Sequence, residues 1–150
     1  MFNWQERTWT CGPAALKMAL EEIGISKTEK YLSKILNTTP KSGTRNKNLI
    51  KAAKYFHLDF ITSKNSNIST IKRFMRENYK VIVCYFSSVN ESGHYALVKN
   101  ISGDRIFLAD PSLGPKLSYS KNYFNKIWHG KQDKEKRWFI AIKQRNNRIL

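Results

Sequence analysis

The stretch Gly93-His94-Tyr95-Ala96-Leu97-Val98-Lys99-Asn100-Ile101-Ser102-Gly103-Asp104-Arg105-Ile106-Phe107-Leu108-Ala109-Asp110-Pro111 decides the fold. Two apolar runs rich in β-branched and aromatic residues, 95–101 and 105–109, flank the Ser102-Gly103-Asp104 loop, the pattern of an antiparallel hairpin. Pro111 stops the second run because it brings no N–H to a ladder. With 101 opposite about 105, residue 96 falls opposite about 110. His94 and Asp110 then share one end of the hairpin as diagonal neighbours, roughly 7–8 Å apart at Cα. His94 itself is expected at the mouth of its strand, just after the polar loop Ser87 to Ser92.

Further strands are expected over Val81 to Phe86 and Trp138 to Ile142, with a brief one over Leu58 to Thr62. Before residue 79 the punctuation is mostly helical. Cys11-Gly12-Pro13 opens a helix, with Thr10 or Cys11 as cap and Pro13 in the first turn, where a missing N–H costs nothing. Ala15, Leu16, Ala19, Leu20 and Ile23 recur at helical spacing until Gly24. Helices also read over Thr28 to Leu36, Asn46 to Phe56 and Ser69 to Asn78, and a shorter one over Tyr119 to Trp128, with a turn at Pro40 to Thr44. The expectation is one α+β domain over residues 1–150, a helical N-terminal half packed on a C-terminal antiparallel sheet.

The 150 residues suit one domain, and an apolar share of 41 % with 13 % aromatics suffices for a core. No apolar stretch nears the 18 or more residues of a spanning helix; Val81 to Phe86 has six. No secretory signal is visible at the N-terminus, so a reduced cytoplasm is the default expectation. The two cysteines, Cys11 and Cys84, form no disulfide framework and no structural zinc site.

Cysteine chemistry is the most economical reading. Cys11 sits at a helix start, where free N–H groups and the macrodipole favour a thiolate, and Gly12 keeps the sulfur approachable. Of the three histidines, His57 ends a helix and His129 lies in a loop-like context; His94 alone stands on a rigid strand end. Asp110 is placed to orient that imidazole, although an Asx turn before Pro111-Ser112 explains an aspartate there equally well. The Cys11 N–H and the Gln5 amide supply donors for an oxyanion. Cys84, amid Val, Ile and Tyr, reads as a small buried hydrophobe.

The local words are similar to those of papain-like cysteine peptidases, most closely the bacteriocin-processing leader peptidases often fused to ABC exporters. The resemblance rests on Gln5, Cys11-Gly12-Pro13-Ala14-Ala15-Leu16-Lys17-Met18, Ser42-Gly43-Thr44, Gly93-His94-Tyr95-Ala96-Leu97-Val98 and Leu108-Ala109-Asp110-Pro111-Ser112-Leu113-Gly114. It implies a papain-like fold, with Cys11 as nucleophile, His94 as base, Asp110 as its orienter and Gln5 in the oxyanion hole. Hydrolysis of a peptide or related amide bond through a thioester follows, with no metal or organic cofactor. Two features depart from the pattern: Thr10 stands where the family usually has an aspartate before the cysteine, and these residues contain no GxxxxGK[ST] phosphate loop.

Twenty-seven Lys plus Arg against eleven Asp plus Glu give a net charge of +16. Lys116, Lys121, Lys126, Lys131, Lys134, Lys136, Arg137, Lys143, Arg145 and Arg148 crowd the C-terminal part, interleaved with Tyr119, Tyr123, Phe124, Trp128, Trp138 and Phe139. Rings beside cations are what single-stranded nucleic-acid surfaces use. Solvated lysines around core aromatics have the same composition. Beside a peptide or protein substrate, the charge keeps open a nucleic acid or anionic surface as partner. An RNA-cleaving enzyme or toxin domain on the same fold, or a non-catalytic binding module, are the alternatives.

Overall fold

Local side-chain chemistry sets most element boundaries. The computed structural model describes residues 2–88, 92–130 and 135–145. Among them run α1 (Cys11–Glu22), α2 (Glu29–Ile35), α3 (Asn46–Tyr55), β1 (Asp59–Ser63), α4 (Ile68–Arg76), β2 (Lys80–Ser87), β3 (Ser92–Ser102), β4 (Arg105–Asp110), β5 (Gly114–Ser120), α5 (Lys121–Ile127) and β6 (Phe139–Lys143). Thr28, Asn67 and Ser120 cap α2, α4 and α5 by accepting the Tyr31, Thr70 and Tyr123 N–H at 3.0, 2.9 and 3.1 Å. Each such cap stabilises its helix by about 1 kcal/mol. His57 ends α3 with a left-handed φ of 55°, its N–H and that of Leu58 closing on Lys54 and Ala53 carbonyls.

The six strands form one sheet in the order β1-β6-β2-β3-β4-β5, every neighbouring pair antiparallel. Helices cover both faces. On one side Ala15, Leu16, Ala19 and Leu20 of α1, with Leu32 and Leu49, pack on Ile82, Tyr95, Leu97 and Ile140. On the other, Ile71 and Phe74 of α4 and Phe124 of α5 pack on Val83, Tyr85, Ala96, Leu108 and Phe139. Period-two alternation divides each central strand between the two cores. The α+β class holds, and α4, drawn from the helical half, crosses to the face that α5 shares.

Three expectations need correction. β3 begins at Ser92, so His94 is the strand's third residue, paired with Tyr85, and not at its mouth. Tyr119 belongs to β5 rather than to the last helix, which starts at Lys121. β5 escaped notice because it is an edge strand carrying Pro115 and only two large apolar residues, Leu117 and Tyr119. The hairpin register is also one residue off at the loop, where Ile101 opposes Ile106. A bulge between Val98 and Asn100 absorbs that residue, so Leu97 meets Ala109 and the expected alignment of the far end is restored. Residues 89–91, part of the segment Ser87 to Ser92 expected as a polar loop, and the cations Lys131, Lys134 and Arg148 lie outside the described residues.

Candidate active site

Three adjacent strands bring a row of polar groups to one end of the sheet. Tyr85 on β2 pairs with His94 on β3, their rings 6.1 Å apart. His94 Nδ1 lies 3.8 Å from Asp110 Oδ1 on β4, an ion-pair separation longer than a hydrogen bond. Both residues are buried, His94 at 4 % exposure and Asp110 at 0 %. Asp110 Oδ2 accepts from the Tyr85 hydroxyl, and Oδ1 accepts the Ser112 and Leu113 N–H at 2.7 and 2.9 Å. The two readings of Asp110 are therefore compatible: it closes an Asx turn and faces the imidazole with the same oxygen. Burial pushes its carboxyl up, but His94, the Tyr85 hydroxyl and the two N–H groups outweigh this and hold it below its ordinary value. The Tyr85 hydroxyl is itself pushed far up, by burial first and then by Asp110, and its ring lies 5.9 Å from that of Tyr119.

Cys11 begins α1, and its sulfur interacts with the backbone of Tyr95, the residue after His94, and of Gly12. The residue keeps some contact with solvent, yet the sulfur is deep enough that burial pushes its thiol up to about 11, with Asp110 adding to the rise. That corrects the expectation of a thiolate favoured by the helix start: the backbone donors act in the expected direction but are outweighed by desolvation. The expected side-chain cap is missing too. Thr10 Oγ1 accepts from Arg7 N at 3.0 Å and lies 2.8 Å from Glu29 Oε2 and 2.9 Å from the Arg7 carbonyl. The hydroxyl is occupied and does not reach the helix.

Gly12 is required for a close approach. A Cβ there would sit 2.2 Å from Thr44 Oγ1 and 2.5 Å from Thr44 Cβ. The Ser42-Gly43-Thr44 segment thus lies directly on the helix start. It is held by Thr38 Oγ1, 2.8 Å from Thr44 Oγ1, and by the Tyr95 hydroxyl, which faces the Thr44 carbonyl at 3.1 Å and Asn46 Oδ1.

Gln5 joins the site from the N-terminal segment. Its N–H donates to the Pro111 carbonyl at 3.0 Å, beside Asp110, and its Nε2 donates to the Arg7 carbonyl at 2.7 Å. A carbonyl can only accept, which identifies that end of the amide as nitrogen. Gln5 Oε1 is buried with no hydrogen-bond partner among the described residues.

The model of the Peptidase C39 family matches residues 2–132. The chain belongs to the Peptidase C39 family. This C39 member is 32 % identical over 129 residues, 84 % of its own length and 81 % of the other's, to an uncharacterized protein of Methanothermobacter thermautotrophicus. Its fold is similar to that of the peptidase domain of Streptococcus ComA, a bifunctional ABC transporter involved in quorum sensing (TM-score 0.76, 23 % identity, covering 95 % of this chain and 97 % of that one). It is also similar to a double glycine motif protease from an AMS/PCAT transporter, solved with its leader peptide (TM-score 0.74, 17 % identity, 96 % and 91 % covered). Family and fold together support a cysteine-peptidase-like function for this C39 member.

Among the described residues no helix of this C39 member is long and apolar enough to cross a membrane, and no three His, Cys, Asp or Glu cluster as metal ligands. The remaining histidines have local duties: His129 stacks on Phe86 at 5.5 Å and pairs with the Gly130 carbonyl. Cys84, opposite Tyr95, is partly buried with its thiol pushed up to about 12 by burial and then by Cys11. Sequence reasoning missed Tyr85, Tyr95 and Glu29. Pairing β2 with β3 through the polar loop would have set Tyr85 beside His94; nothing local marks Glu29 as buried.

Proposed function

We propose that this chain is a cysteine peptidase that cleaves a peptide or related amide bond through a thioester at Cys11, its residues 1–150 working as one domain. The carrying observation is Cys11 packed against the core cluster that holds Tyr95, the residue after a buried His94 that faces the Asp110 carboxylate. In this reading His94 takes the Cys11 proton as the sulfur attacks the carbonyl carbon. The tetrahedral oxyanion is met by the Cys11 N–H and by the Gln5 amide hydrogen not committed to the Arg7 carbonyl. Collapse breaks the C–N bond, and the imidazolium protonates the leaving amine. Water, deprotonated by His94, then opens the thioester and releases the carboxylate and the thiol.

Asp110 holds the imidazole in the tautomer with Nδ1–H toward the carboxylate and stabilises its charged form. Because burial holds the resting thiol near 11, His94 must draw the proton off during attack, and the carboxylate behind it makes that transfer affordable. A peptide as substrate is supported by the solved double glycine motif protease, which holds a leader peptide. The test is turnover of a leader-bearing peptide set with Cys11→Ala as control. Cys11-dependent cleavage is expected; cleavage surviving that substitution would end the proposal.

A further inference from the structure

Glu29 is a buried carboxylate that the mechanism above leaves without a task. It lies in the first turn of α2 at 3 % exposure, beside Thr10 at 2 %. Its Oε2 accepts the Glu6 N–H at 2.8 Å and lies 2.8 Å from the Thr10 hydroxyl. Those two contacts bracket the segment 6–10. Gln5 precedes the first anchor and Cys11 follows the second.

Resting on the peptidase reading, we propose that Glu29 is a positioning residue, whose carboxylate clamps the 6–10 loop and thereby sets Gln5 and Cys11 at a fixed separation. The bonds inside the loop converge on the same end. Arg7 N donates to the Thr10 hydroxyl, and the Arg7 carbonyl receives Thr10 N at 3.2 Å and Gln5 Nε2 at 2.7 Å. The Thr10 hydroxyl has one hydrogen. Given to Glu29, a charged and therefore stronger acceptor, it leaves the Arg7 carbonyl to Thr10 N and the Gln5 amide. Asp110 is connected to the same loop, since Gln5 N donates to the Pro111 carbonyl.

The energetics suit a residue retained for geometry. Burial pushes the Glu29 carboxyl above its ordinary value, against the Glu6 N–H, the Thr10 hydroxyl and the Lys17 charge from α1, with the Glu6 carboxylate adding to the rise. A folded-state value raised above the unfolded one means that ionisation works against folding as pH rises through it. Glutamine keeps an acceptor oxygen for both donors and removes the charge. A purely structural carboxylate would be missed by the fold; this one would be missed by the reaction.

The full chain carrying Glu29→Gln, Thr10→Val or both is compared with wild type by thermal unfolding, by kcat and KM on a cleaved peptide, and by the alkylation rate of Cys11. Glu29→Gln is expected to melt no lower than wild type, with kcat down about tenfold and KM within about twofold, since small displacements of reacting groups carry losses of that order. Thr10→Val is expected to match it, and the double variant to be no worse than either, as for one shared contact. Unchanged kcat in Glu29→Gln, or a loss that follows the melting temperature, overturns the proposal. If Glu29→Gln does not fold, Thr10→Val alone decides, because it leaves the carboxylate in place. If wild type shows no Cys11-dependent turnover, the peptidase reading fails by itself. Cys11 alkylation then still tests the clamp: a change of about tenfold in Glu29→Gln supports it, and an unchanged rate removes it.

Discussion

The Tyr85 hydroxyl donates to Asp110 Oδ2, on the side of the carboxylate away from the oxygen that faces His94. Three donors therefore bond one fully buried carboxylate, Tyr85 O–H, Ser112 N–H and Leu113 N–H, and the imidazole edge faces it at 3.8 Å. The arrangement favours the ionised form of Asp110, with no arginine or lysine paired to it among the described residues. Tyr85→Phe removes one of these donors and nothing of the side chain's bulk. The expected outcome is a stability loss of about 1–3 kcal/mol by denaturant titration and a lower kcat. No change in either would mean that Asp110 does not depend on that hydroxyl.

Asp110 also sets an acid limit on the fold. Its folded-state value lies below the ordinary 3.8, so its contribution is fully present above that value and is lost as pH falls through the lower, folded one. Asp110→Asn should flatten the decline of stability below about pH 4 relative to wild type. Thermal melts between pH 2 and 7 check this; parallel declines would contradict it.

Reactivity should separate the two thiols. Burial pushes the Cys11 thiol up to about 11, so without His94 to draw off its proton little of it is thiolate at pH 7. Cys11 alkylation in His94→Ala is expected to be slow at neutral pH and to climb toward pH 11, whereas wild type reacts faster at pH 7. Cys84, pushed up to about 12, should stay unlabelled near neutrality, and Cys84→Ala should leave turnover intact. Peptide mapping after iodoacetamide treatment reads both; equal labelling of the two cysteines would count against an assisted Cys11.

Gly12→Ala should overpack the helix start, at a cost of about 1–3 kcal/mol, because the new Cβ meets Thr44 atoms at 2.2–2.8 Å. Thr44→Gly clears all three of those atoms. Combining the two substitutions should therefore recover part of the loss, a coupling that a double-mutant cycle measures directly. Strict additivity would show that the two sites do not touch.

The charge of +16 predicts binding to RNA that weakens steeply between 50 and 200 mM salt. On the peptidase reading that binding is non-specific, and no RNA cleavage depends on Cys11. Filter binding and a cleavage assay with Cys11→Ala as control decide this. Cys11-dependent RNA cleavage would favour the nucleic-acid-directed alternative.

Local chemistry alone determined a good deal. Thr28, Asn67 and Ser120 cap their own helices, Gly103 turns the central hairpin with a φ of 58°, and the unbroken apolar run Tyr95-Ala96-Leu97-Val98 marks a strand buried on both faces. Gln5, Cys11, His94 and Asp110 were legible as residue types in a suitable order. The fold alone decided what required distant segments to meet. β6 enters between β1 and β2, a placement that no pattern within Phe139–Lys143 encodes. Tyr85 meets Asp110 only because β2, β3 and β4 lie side by side, and Glu29 is buried only because α2 lies under the 6–10 loop. The helix start alone argues for a low thiol value, and the packed interior reverses it, because desolvation depends on neighbours far away in the chain. Hydrogen bonds to near neighbours and side-chain alternation are encoded over a few residues; burial is a property of the assembled sheet and helices.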